Sequence, residues 1–111
     1  MIRKMVLSCF VLCGVAAVTV LADDGQTVFN GKCAICHGKD GMGKTKMGEK
    51  LGIKDLTDAK IQAAVTDEQL LKMLKEGKKA GDKTLMKSYD TILSADEMKS
   101  VIAYVRTLGK K

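Results

Sequence analysis

The sequence predicts an all-α fold in a single domain. Two segments each open on a capping box and continue with apolar residues at helical spacing, Thr66-Asp67-Glu68-Gln69 before Leu70 and Ser94-Ala95-Asp96-Glu97 before Met98. No stretch alternates apolar and polar residues as a half-buried strand would. The 111-residue length suits one domain, and there is no internal repeat.

Residues 1–22 read as an export signal. Arg3 and Lys4 form a basic start, Met5 to Leu21 is an apolar stretch, and Val20-Leu21-Ala22 offers small residues around a cleavage site. Cleavage after Ala22 leaves a domain over residues 23–111. The competing reading is an uncleaved anchor, for which Met5–Ala22 is at the short end of a bilayer span. Removal of the segment takes Cys9 and Cys13 with it, so that Cys33 and Cys36 remain as the only thiols. An exported protein then has no spare cysteine to mispair.

A first helix is expected from about Asp24 through Cys36, carrying Val28, Phe29 and the two cysteines. A short helix is expected from Asp58 to Ala64, with Ile61 and Val65 inward. The next helix follows Thr66, with Leu70, Leu71 and Leu74 on its apolar face, and stops at Gly77. The last follows Ser94, buries Met98, Val101, Ile102, Val105 and Leu108, and ends at Gly109. Gly38–Gly52 is glycine-rich and reads as a loop, as does the polar, lysine-rich stretch Gly77–Tyr89.

Chemistry concentrates in Cys33-Ala34-Ile35-Cys36-His37. This is C-x-x-C-H, the pattern at which haem is attached through two thioethers. Residues three apart share a helix face, so both sulfurs reach one porphyrin and His37 follows as an iron ligand. A structural zinc site needs four ligands, and the chain has no second histidine to help supply them. A thioredoxin-like dithiol expects strands around it, which are missing here. A covalently held haem also supplies the apolar body that a small, aromatic-poor core lacks.

Gly38-Lys39-Asp40-Gly41-Met42-Gly43-Lys44-Thr45 matches the phosphate-cradling pattern G-x-x-x-x-G-K-T letter for letter. That mechanism needs a strand before the loop and a helix after it. A helix precedes this loop and more glycines follow, so the reading is no nucleotide. The glycines instead let the chain turn closely on the histidine side of the haem.

Electron-transfer haems with one histidine commonly take methionine as the sixth ligand. Met42 and Met47 lie too soon after His37 to cross the ring, while Met73 and Met98 lie within helices. Met86 sits in a loop able to wrap over the opposite face and is the expected ligand, with Met47 next.

With these residues in view, the chain from Gly25 to Leu108 resembles the class I c-type cytochromes, in particular the small soluble bacterial monohaem kind. The resemblance rests on Gly25 and Phe29, on Cys33 to Gly38, and on Asp40-Gly41-Met42-Gly43. It continues through Asp55-Leu56-Thr57, Thr66 to Leu70, Met86, Leu93-Ser94 and Ala103-Tyr104-Val105. It implies the cytochrome c fold, three to four helices packed around one covalently attached haem c, with the first and last crossing where Gly25 meets Tyr104. It implies axial iron ligation by His37 and Met86 and single-electron transfer. Two departures stand out. Lys87 follows Met86 where the family often has proline, and no proline follows the glycine-rich loop. A carbonyl in Gly48-Glu49-Lys50 is expected to accept the His37 ring N–H instead.

The function expected is a diffusible one-electron carrier in the periplasm, monomeric and not an enzyme, since no acid–base or nucleophile constellation is visible. Two other readings stand beside it: a gas- or peroxide-binding sensor with a labile methionine, and a haem subunit of a larger redox enzyme. Without residues 1–22 the net charge falls from +6 to +4. That weakly basic balance suits redox protein partners with acidic docking surfaces, and Lys78, Lys79, Lys83 and Lys87 flank Met86. It is too small to argue for nucleic acid, for which there is no motif. Membrane association is expected only if the leader stays uncleaved.

Overall fold

The computed structural model describes residues 22–109; the expected export segment lies, but for Ala22, outside the described residues. The chain opens with helix α1, Ala22–Val28, which runs without a break through a π-helical turn, Phe29–Cys33, into α2, Ala34–His37. The wider turn admits an extra residue and shifts the phase of the helix beyond it. Phe29 and Cys33 both end up buried, while Ile35 between the cysteines is 75% exposed.

A short helix occupies part of the stretch expected to be a loop: α3, Lys46–Leu51. Thr45 caps it, its hydroxyl accepting from the Gly48 amide at 2.8 Å and donating to the Cys36 carbonyl at 2.6 Å. Gly48 is buried against the backbone of Gly43 and Cys36. The glycine that makes the sequence look like a loop is thus what lets α3 lie against α2.

Helix α4, Ala59–Ala63, begins at Asp58, whose carboxylate accepts from the Lys60 amide; Ile61 and Val65 are half-buried as expected. Helices α5, Asp67–Glu76, and α6, Ala95–Leu108, both form complete capping boxes, Thr66 with Gln69 and Ser94 with Glu97. Between them the expected loop is instead a small antiparallel hairpin, β1, Lys78–Ala80, and β2, Lys83–Met86, turning at Gly81-Asp82. Alternation could not reveal it, because β1 and the first half of β2 are exposed.

The core lies where α1 crosses α6. Phe29, Met98, Val101 and Ile102 are buried together with Leu74, Tyr89 and Leu93. At the crossing a side chain on Gly25 would lie 2.0 Å from the Ser100 carbonyl oxygen and 2.9 Å from Tyr104 Cβ. Only a missing Cβ permits that approach. The Phe29 ring fills the space beyond, 5.3 Å from that of Tyr104. Behind the core, Arg106 donates to the Gln62 and Val65 carbonyls and to Asp67. Gln62 donates in turn to the carbonyls of Leu56 and Val105, so α4, α5 and α6 share one hydrogen-bonded seam.

Candidate haem site

A partly open apolar cleft lies between α2, α5, α6 and the hairpin. Cys33, His37 and Met86 all line it, with Leu70, Leu74 and Val101 among the apolar walls. The structure therefore brings Cys33, His37 and Met86 to one cavity, although 49 or more positions separate Met86 from the other two in the chain. Cys36 is half-buried on the same helix.

Local chemistry favours neutral groups. Burial, assisted by the charge of Cys36, pushes the Cys33 thiol up to about 11. An uncharged thioether suits so apolar a wall. Burial also holds His37 below the usual imidazole range, which keeps a ring nitrogen lone pair available for a metal. Among the described residues no group of three or more His, Cys, Asp and Glu side chains converges on a conventional ion site. The donor set, one thiol and one imidazole at the wall of an apolar slot with a second thiol one turn along the same helix, fits a flat apolar group carrying its own metal.

The expected brace on His37 is not present. Its Nδ1 is buried and has no hydrogen-bond partner among the described residues. The Gly48-Glu49-Lys50 stretch is the last turn of α3, and the Glu49 carbonyl there accepts from Gly52. The Gly48 carbonyl accepts from Ile53. The histidine is held through its backbone, whose carbonyl accepts from Gly43 at 2.7 Å, and by Phe29, whose ring lies 6.2 Å from the imidazole.

Among the other methionines, Met98 belongs to the core, 2% exposed. Met47, expected as the next ligand candidate, is 41% exposed on α3 and lies outside the cleft. Met73 takes that place: it lines the cleft with Met86. The sign available was its spacing, three residues after Leu70 and one before Leu74, on a face already expected to be apolar. Tyr89 is the other residue not foreseen. It is buried, and its hydroxyl donates to the Lys32 carbonyl at 3.2 Å, next to Cys33.

The glycine-rich run Gly38–Thr45 follows a helix rather than a strand, and its Thr45 hydroxyl is engaged by Cys36 and Gly48. The nucleotide reading gains nothing from the structure. No helix among the described residues is long and apolar enough to cross a membrane.

The family model described as Cytochrome c matches residues 22–109. Among solved structures, the KustC0563 c-type cytochrome is similar at 32% identity and a TM-score of 0.70, over 78% of this chain and 99% of that one. A tyrosine-to-phenylalanine mutant of Kustc0563 is similar at 33% identity and a TM-score of 0.68, over 77% of this chain and 98% of that one. No curated protein sequence matches.

Proposed function

The chain belongs to the cytochrome c family, and from that premise we propose that it carries single electrons between redox proteins with His37 and Met86 as the axial ligands. Family membership makes it a haem c protein and an electron carrier. The finer reading rests on one observation above the rest: His37 and Met86 line the same apolar cleft, beside Cys33.

Cys33 and Cys36 would hold the haem through thioethers. His37, kept neutral by burial, presents its imidazole from the end of the same helix. Met86, at the end of β2, would offer its thioether to the iron, which favours the reduced state and raises the potential. Haem, when bound, supplies the centre that gains and loses one electron. The chain contributes the apolar walls that exclude water and the fixed backbone that lets this exchange proceed with little rearrangement.

The partner surface lies on the hairpin. Lys78, Lys79, Lys83 and Lys87 are exposed there, and none of the four forms an ion pair among the described residues. They steer an acidic redox partner toward the Met86 side. Domains of this family typically work outside the cytoplasm. The apolar leader, cleaved after Ala22, accounts for delivery to the periplasm, where the mature chain works as a monomer and not as an enzyme.

The test is the ferric absorption spectrum of the exported protein together with the mass of its Cys33–Cys36 peptide. A methionine–iron band at the red end and one haem on both cysteines are the expected results. A spectrum without that band, or haem on neither cysteine, would overturn the reading.

A further inference from the structure

Met86 has no proline after it to stiffen its loop, yet its backbone is closely surrounded. Gly77, just past the end of α5, has φ 75° and ψ −170°, a conformation open essentially to glycine alone. A Cβ there would lie 2.5 Å from the Met86 carbonyl oxygen, 2.8 Å from the Ser88 amide nitrogen and 2.9 Å from the Lys87 carbonyl carbon. The two chain segments touch backbone to backbone at the ligand itself. Met86 is also paired across the hairpin with Lys78.

The residues just after Met86 then close the C-terminal end of α5. Tyr89 donates its amide to the Leu74 carbonyl at 2.7 Å, and the Ser88 hydroxyl donates to the Lys75 carbonyl at 2.5 Å. The Gly77 amide donates to the Met73 carbonyl at 2.7 Å. Two carbonyls that the helix end leaves unpaired, those of Leu74 and Lys75, are thus satisfied by residues that follow the hairpin. Tyr89 reaches in the other direction as well, its hydroxyl donating to the Lys32 carbonyl on the cysteine-bearing helix. One short segment is therefore tied to both the α5 side and the Cys33 side of the cleft.

We propose that Gly77, Ser88 and Tyr89 are positioning residues that hold Met86 at the cleft, a backbone clasp in place of a proline. The proposal rests on the reading of Met86 as the sixth ligand. The clasp acts on the ligand's backbone, so its loss frees Met86 without replacing any side chain that lines the cleft.

The experiment uses the haem-loaded exported protein and two readouts, the red-end methionine–iron band and the affinity of the ferric protein for added imidazole. Gly77→Ala forces the Met86 carbonyl back by roughly 1 Å to reach ordinary contact. The band should weaken or vanish, and imidazole should bind more than about tenfold tighter, because Met86 no longer competes. Ser88→Ala and Tyr89→Phe each remove one hydrogen bond and should tighten imidazole binding about two- to tenfold. Ser88→Thr, which keeps the hydroxyl, should restore the wild-type value. Ser94→Ala, which weakens the α6 cap and breaks none of the clasp's hydrogen bonds, should lower thermal stability and leave imidazole affinity unchanged. Should Gly77→Ala fail to accumulate, the Ser88 and Tyr89 variants decide the matter. A wild-type band and wild-type imidazole affinity in all clasp variants, with the band lost in Met86→Ala, would overturn the clasp and leave the ligand standing. A band that survives Met86→Ala would overturn the ligand assignment and the clasp with it.

Discussion

Gly25→Ala adds a single methyl group at the crossing of α1 and α6. That methyl would sit 2.0 Å from the Ser100 carbonyl oxygen and 2.6 Å from its carbon, where ordinary contact begins at about 3.4 Å. Both atoms are backbone, so no side-chain rotation relieves the clash, and α6 must recede by more than roughly 1 Å. Overpacking of this kind costs about 1–3 kcal/mol, and an unyielding backbone places it at the upper end. The Phe29–Tyr104 ring pair spans the same crossing at 5.3 Å. Opening it forfeits a further ~0.5–1.5 kcal/mol. Alanine returns about 1 kcal/mol of helix propensity over glycine. The net expectation is a loss of about 2–3 kcal/mol, or roughly 10–20 °C in melting temperature for a domain of this size. Thermal unfolding of the haem-loaded protein, followed by far-ultraviolet circular dichroism, measures it. Gly31→Ala is the internal control. Gly31 is exposed in the same helical run with no atom within 4 Å of its added Cβ, so alanine should stabilise by about 0.5–1 kcal/mol. A Gly25 variant as stable as wild type, or shifts of the same sign and size in both variants, would refute the packing argument.

Other outcomes are expected together. Cys33→Ser or Cys36→Ser removes one thioether donor and should abolish most doubly attached holoprotein, as checked by mass spectrometry of the purified chain. Met73→Leu should leave the red-end band unchanged, since Met73 serves as a wall of the cleft; loss of the band there would make Met73 the ligand. Ser94→Ala should cost about 1 kcal/mol in denaturant unfolding, because the Glu97 amide loses its 3.1 Å cap. Replacing Lys78, Lys79, Lys83 and Lys87 together with Gln should slow the bimolecular reaction with an acidic redox partner about tenfold at low salt. The two rates should converge as salt screens the charges. Identical rate-against-salt curves would place docking on another surface.

The parts of the fold that were legible in the sequence carry their own local chemistry. Thr66 and Ser94 announced α5 and α6 because a capping box is written in four consecutive residues, and both boxes formed. Cys33 to His37 announced the cofactor for the same reason. The features that escaped depend on backbone meeting backbone. Helix α3 was hidden by Gly48, whose missing side chain is what lets it pack on Gly43 and Cys36. The hairpin was hidden because its exposed arms have no apolar face to alternate; only Gly81-Asp82 between two polar arms hinted at it. The π turn at Phe29–Cys33 left no mark in the pattern of apolar residues. At the site, Met86 was foreseen from its place in a long connection, but Met73 was not, because a methionine on an amphipathic helix reads as core filling. The brace expected on the His37 ring was not found, His37 Nδ1 having no hydrogen-bond partner among the described residues.

The central claim is that one haem sits in the cleft between His37 and Met86. The most direct measurement is the ferric absorption spectrum of the wild-type holoprotein recorded beside that of Met86→Ala, with haem covalently attached in both. The account predicts the red-end methionine–iron band in the first and its absence in the second, together with a fall in reduction potential. A band of equal strength in both proteins, or in neither, would contradict it.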